Sequence, residues 1–230
     1  MYYIIYKYLI DRILKGVMMK EINFYTKGEE IANAITHGIG AAFAIVGTVF
    51  LILLAASTKD PLKIVGVSIY GGSLIILYMG STLYHSIPVQ GAKKVFRILD
   101  HSSIYLLIVG TYTGIVLLQL SSNLVSWIIL GILWIMAIVG IVFKAICIDK
   151  FDKLSTLLYV IMGWAIVFNI KGLIELVPLN IIMFLVAGGV AYTVGCIFYS
   201  IDKIPYNHAI WHMFVIAGSV LHFVCIYLSI

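Results

Sequence analysis

Polar residues are sparse along this chain and fall at intervals that divide it into long apolar stretches. Seven such stretches cover residues 37–57, 62–86, 101–120, 124–143, 154–170, 179–200 and 207–230. A run of roughly 17–25 apolar residues, coiled as a helix, crosses the hydrocarbon core of a bilayer. The alternating strands of about ten residues that build a transmembrane barrel are absent. The segments between the stretches are short, leaving no room for a second folded domain. The pattern predicts an all-α fold, an integral membrane bundle of seven transmembrane helices over residues 37–230, behind an N-terminal segment at 1–36.

Within that segment Glu29, Glu30, Asn33, Thr36 and His37 recur at near-helical spacing, which predicts a short polar-faced helix at the membrane surface. Residues 1–18 are less typical. Met1 to Ile10 is apolar and rich in tyrosine, but no small-residue cleavage site follows, which argues against a removable signal. An amphipathic surface segment is one reading, and a translation start at Met18 or Met19 is another. Glycines punctuate the spans at Gly71-Gly72, Gly110, Gly114 and Gly188-Gly189. Close helix packing is their first reading, and hinges in the second and sixth spans are the alternative. Pro61, Pro88, Pro178 and Pro205 mark span boundaries.

Composition agrees with the pattern. The chain is 63% hydrophobic and 11% charged, outside the range of soluble domains. A formal charge of +5 raises the question of nucleic acid, yet the positions of the charges answer it otherwise. Twelve of the fifteen basic residues fall in the N-terminal segment and in loops 87–99, 144–153 and 201–206, which seven spans place on one side. The other side has Lys59, Lys63 and Lys171. Positive charge marks the cytoplasmic side, so the N-terminus is expected in the cytoplasm and the C-terminus outside it, in a multi-pass protein of the cell membrane with no nucleic-acid partner. Cys147, Cys196 and Cys225 have no paired spacing and read as small packing residues.

The same topology gathers the titratable groups. His85 ends the second span, Asp100 and His101 begin the third, and His208 and His212 begin the seventh, all at one depth. His208 and His212 are four residues apart and share a helix face. Polar groups in membrane helices mark sites of function more often than not. Three imidazoles suit zinc and leave a fourth position for water, whose pKa such an ion lowers to about 7. Asp100 is the candidate to orient that water or take its proton. Ser81, four residues before His85, is placed to bond the water or a substrate carbonyl. His222, about 15 Å further along its helix than His212, is too far to share the ion. His101 points away from Asp100, and His37 is expected at the mouth of the site.

The strings Glu30-Ile-Ala-Asn33-Ala-Ile-Thr36-His37-Gly38, Ser81-Thr-Leu-Tyr-His85-Ser86, Leu99-Asp100-His101 and His208-Ala-Ile-Trp211-His212, with Gly218 and His222, resemble the haemolysin III family. That family is the bacterial branch of the progestin and adiponectin receptors, and the likeness extends over nearly all of the chain from about residue 20. It implies a seven-span bundle with a cytoplasmic N-terminus. It also implies one zinc ion on His85, His208 and His212, reached by Asp100 through water, with Ser81 as the motif serine. The wider superfamily includes alkaline ceramidases, which suggests hydrolysis of a lipid amide or ester as part of membrane homeostasis, with a membrane lipid as substrate or ligand. The alternatives are a sensor or receptor-like protein with structural zinc, and a pore-forming cytolysin.

Overall fold

The computed structural model describes residues 25–148, 152–201 and 203–230. The readings of residues 1–18 lie outside the described residues. Those described are helical and include no strand. Among the described residues, seven helices or helix combinations are long and apolar enough to cross a membrane, as the sequence predicts. The first four spans are α1 (Lys27–Ser57), α2 (Pro61–Ser86), α3 (Gln90–Gln119) and α4 (Leu124–Cys147). The fifth is built from α5 (Asp152–Gly163), a 3-10 turn (Ala165–Asn169) and α6 (Ile170–Leu176), and α7 (Leu179–Tyr199) and α8 (Asn207–Leu228) complete the set.

Local chemistry sets the ends. Thr26 caps α1 through the amide of Glu29, whose carboxylate returns to the Thr26 amide at 2.9 Å. Such a reciprocal cap satisfies two of the donors a helix start leaves free. Asp60 caps α2 ahead of Pro61, and Pro88 leaves Ile87 extended, which ends α2 just past His85. The polar turns at Glu29–His37 are not a separate short helix. They are the first turns of α1, which runs unbroken to Ser57.

The surface is inverted relative to a soluble protein. Phe43, Leu124 and Phe168 are 75%, 72% and 82% exposed, facing outward where lipid lies. The interior carries the hydroxyls. α3 is the most enclosed span, and α1 packs against both α2 and α8, so the first and last helices are neighbours. Tyr78 of α2 and Tyr192 of α7 both meet the Ser219 hydroxyl of α8 at 2.8 Å. Hydrogen bonds of this kind hold helices together where lipid offers no hydrophobic drive.

The glycines pack. A Cβ on Gly71 would lie 2.3 Å from Thr48, one on Gly110 2.3 Å from Ser73, and one on Gly188 2.2 Å from His222. Both Gly-Gly pairs sit in uninterrupted helix, so neither is a break. The interruption falls in the fifth span instead, at Trp164, which the sequence reading ran through as continuous helix over 154–170. Freed backbone groups inside a bilayer need internal partners. The Tyr112 hydroxyl of α3 supplies them, donating to Gly163 O at 2.9 Å and accepting from Ile166 N at 2.8 Å. Below it, Asn169 donates to the Ser126 hydroxyl at 2.7 Å.

Candidate metal centre

The end of α2, the start of α3 and the start of α8 meet at one end of the bundle, with the first turns of α1 beside them. Pro205 and a left-handed Tyr206 (φ 57°) turn the chain into α8, and the Tyr206 amide donates to Glu29 at 3.3 Å. His208 and His212 follow on the inward face of the first two turns. His85, His208 and His212 are all buried, with one nitrogen from each lying within 4.8 Å of the others.

Which nitrogens face one another follows from their partners. His85 Nδ1 donates to Glu30 Oε2 at 2.7 Å, since a carboxylate can only accept. That leaves Nε2 as a bare acceptor, 3.2 Å from His208 Nε2. His212 Nδ1 is 3.1 Å from the Thr36 hydroxyl, and its Nε2 has no partner. Imidazole nitrogens on one tetrahedral zinc, each at 2.0–2.1 Å, stand about 3.3 Å apart. The donor set, and the 3.2 Å between His85 and His208, fit such an ion.

Around the three rings the structure places the other expected groups. α3 begins at Gln90, so Asp100 does not open its helix; it is buried about three turns in and lies outside the three-histidine set. It lines a cavity of about 30 Å³ together with His208, Tyr199 and Trp211. Such a volume accommodates a water between carboxylate and imidazole. Ser81, one turn before His85, is fully buried with an unpartnered hydroxyl. Buried polar atoms without partners are uncommon and call for one.

His101 is not turned fully away from Asp100. Its Nδ1 donates to Arg97 O at 3.0 Å and lies 3.4 Å from Asp100 Oδ2. His37 is not at the mouth. It is buried, stacked on His212 with ring centroids 3.4 Å apart and edge-on to Tyr78. Tyr25 is the ring that lies over the site, stacked on His208 at 5.1 Å. His222 bonds to Leu185 O at 3.0 Å on another part of α8, apart from the three.

Residues 25–223 match the model of the haemolysin-III related family. The chain belongs to the haemolysin-III family. It is 48% identical to hemolysin-3 of Bacillus cereus over 198 residues, 86% of this chain and 90% of that one. A hemolysin-3 homolog of Bacillus subtilis is 45% identical over 202 residues, covering 88% and 94%. A more distant relative is the human monocyte to macrophage differentiation factor, 29% identical over 214 residues, covering 86% and 83%. No solved structure matches the chain. Membership and the seven spans together make it a multi-pass membrane protein.

Three features of this haemolysin-III centre were not assigned from sequence. Lys93 and Lys144 count there as loop charges, yet both lie within helices and are 1% exposed. Lys93 Nζ is 2.9 Å from Glu30 Oε1 and donates to Tyr84 O at 2.9 Å, and Lys144 lines the small cavity with Asp100. Glu30 reads from sequence as a surface residue and is instead in contact with His85. Only the helical continuity of α1 through His37 could have signalled this.

Proposed function

We propose that this chain is a zinc-dependent hydrolase of a lipid amide or ester, working at the cytoplasmic face of the plasma membrane. The observation that carries the reading is the cluster of three buried histidines, one nitrogen of each within 4.8 Å of the others, with a buried aspartate sharing a water-sized cavity with one of them. His85, His208 and His212 hold the ion. Zinc at such a centre supplies Lewis acidity, polarising a carbonyl and acidifying water.

The chain's own groups do the rest. Asp100 accepts a proton from water in the small cavity and returns it to the leaving amine or alkoxide. Ser81 donates to the carbonyl oxygen as negative charge develops on it. Substrate class is supported by a second cavity, of about 130 Å³, lined mainly by apolar and aromatic side chains. It shares Ile104, Tyr159, Cys196 and Trp211 with the small one, so an apolar chain seated there would present its polar end to Asp100 and His208.

The name of the Bacillus cereus relative, hemolysin-3, invites a pore reading. A conducting path needs polar groups through the whole thickness. The lining of the larger cavity, with Leu107, Ile115 and Val215, does not favour one. The test is turnover of defined ceramides, acyl amides and glycerolipid esters by purified protein, followed by mass spectrometry. Hydrolysis by wild type and none by His208→Ala is expected. Equal turnover in both rules out the hydrolase reading.

A further inference from the structure

α1 supplies none of the three histidines, yet its side chains line two of them: Asn33 Nδ2 lies 3.5 Å from His85 Nδ1, His37 stacks on His212, and Glu30 and Thr36 make the closest polar contacts. Glu30 Oε2 accepts from His85 Nδ1 at 2.7 Å, while its other oxygen is 2.9 Å from Lys93 Nζ, so the carboxylate is fixed from two sides. Glu30 is only 13% exposed. One and a half turns on, the Thr36 hydroxyl lies 2.9 Å from Ala32 O and 3.0 Å from Asn33 O. A hydroxyl has a single hydrogen, and these carbonyls take it. Toward His212 Nδ1, at 3.1 Å, Thr36 therefore accepts.

The consequence is the same on both rings. Each hydrogen is held at Nδ1 and each Nε2 is left bare, that of His85 facing His208 Nε2 and that of His212 without a partner. Helix α1 packs against α2 and α8, the two helices that carry these ligands, so one rigid element sets both. The third ligand has no such partner, since His208 Nδ1 is unbonded. It is held by packing among Tyr25, Tyr199 and Trp211.

We infer that Glu30 and Thr36 are positioning residues of the metal centre, fixing the tautomer and ring orientation of His85 and His212 from the first helix. This rests on the metal reading of the three histidines. Outer partners of metal-bound imidazoles act in this way, and their loss weakens metal affinity by about 10- to 100-fold. The polar stretch Glu30–His37 is thus the frame of the centre and no mere surface feature.

The experiment uses the full chain in detergent, stripped by a chelator and titrated with zinc against a chromophoric competitor. Wild type, Glu30→Gln, Thr36→Val and Thr36→Ser are compared, and each stripped protein is also melted. Glu30→Gln and Thr36→Val are expected to bind zinc about 10- to 100-fold more weakly, with Thr36→Ser near wild type. Stripped Thr36→Val should melt with stripped wild type, because only the loaded state uses the ordered ring. Should Glu30→Gln fail to fold through its contact with Lys93, Thr36→Val and its serine rescue decide the matter. Wild-type affinity in Thr36→Val overturns the positioning role and leaves the centre standing. A stripped Thr36→Val that melts as far below wild type as the loaded pair makes the hydroxyl structural, which also overturns it. A wild type that takes up no zinc removes the centre and this role together.

Discussion

His85 and His208 are 123 residues apart in sequence and 3.2 Å apart at their Nε2 atoms. Glu30 keeps the His85 hydrogen at Nδ1, so without an ion only His208 can place a hydrogen between the two rings. An ion held by these histidines would replace that single N–H···N bond, leaving the His208 hydrogen for Nδ1, the position that has no partner. Two of the three rings are thus oriented in advance and the third is adjustable, and an ion there would join the last helix to the second.

That join leads to a prediction about stability. A ligand that binds only the folded state adds about 4 kcal/mol at a thousand times its dissociation constant. Zinc should therefore raise the melting temperature of the chelator-stripped wild type in detergent. His212→Ala should abolish the rise, and His222→Ala should retain it, because His222 bonds to Leu185 O and not to the three-histidine set. Metal content by emission spectrometry, read beside the melting curves, checks both. Retention of zinc by His212→Ala with loss in His222→Ala would place the centre elsewhere.

Asp100 should separate binding from chemistry. It lines the water-sized cavity with His208 but is not one of the three converging groups. Asp100→Asn keeps the volume and removes the proton acceptor. Zinc content is expected to remain close to wild type, while lipid hydrolysis falls by about 100-fold or more. Zinc lost in proportion to activity would make Asp100 a direct ligand.

The sequence makes the seven spans legible because a bilayer imposes length and apolarity on each, and those survive without any tertiary contact. It also makes the three-histidine cluster legible, since His208 and His212 share a helix face and the up-and-down path returns His85 to the same end. The same arithmetic could not find Glu30 as a partner of His85, because that contact depends on how α1 is rotated against α2. Nor could it tell Lys93 and Lys144, buried within helices, from cations in open loops. The break at Trp164 is equally silent, since residues 164–169 are as apolar as a helix and what permits the break is a hydroxyl on α3.

Orientation follows from charge and can be read directly. Loop cations on one side predict a cytoplasmic N-terminus, with Lys59 and Lys171 on the opposite face. Lys93 and Lys144 are buried and contribute less to that count, yet Lys94, Lys150, Lys153 and Lys203 keep the bias. A phosphatase reporter fused after Ile230 should be active outside the cytoplasm, and a fluorescent reporter there should stay dark if exported unfolded. The reverse pair of signals would turn the centre to the outer face.

The fifth span offers the sharpest test of the fold itself. Tyr112 donates to Gly163 O at 2.9 Å and accepts from Ile166 N at 2.8 Å, satisfying an acceptor and a donor that the break at Trp164 releases. Tyr112→Phe keeps the ring and its packing but leaves both groups unpaired in an apolar interior. Each unpaired buried group costs about 1–3 kcal/mol. The variant should melt well below wild type, by a similar amount with and without zinc, because the break lies away from the three histidines. Zinc stoichiometry should stay unchanged. If Tyr112→Phe melts with wild type, the released groups have other partners and the hydroxyl does not hold the break.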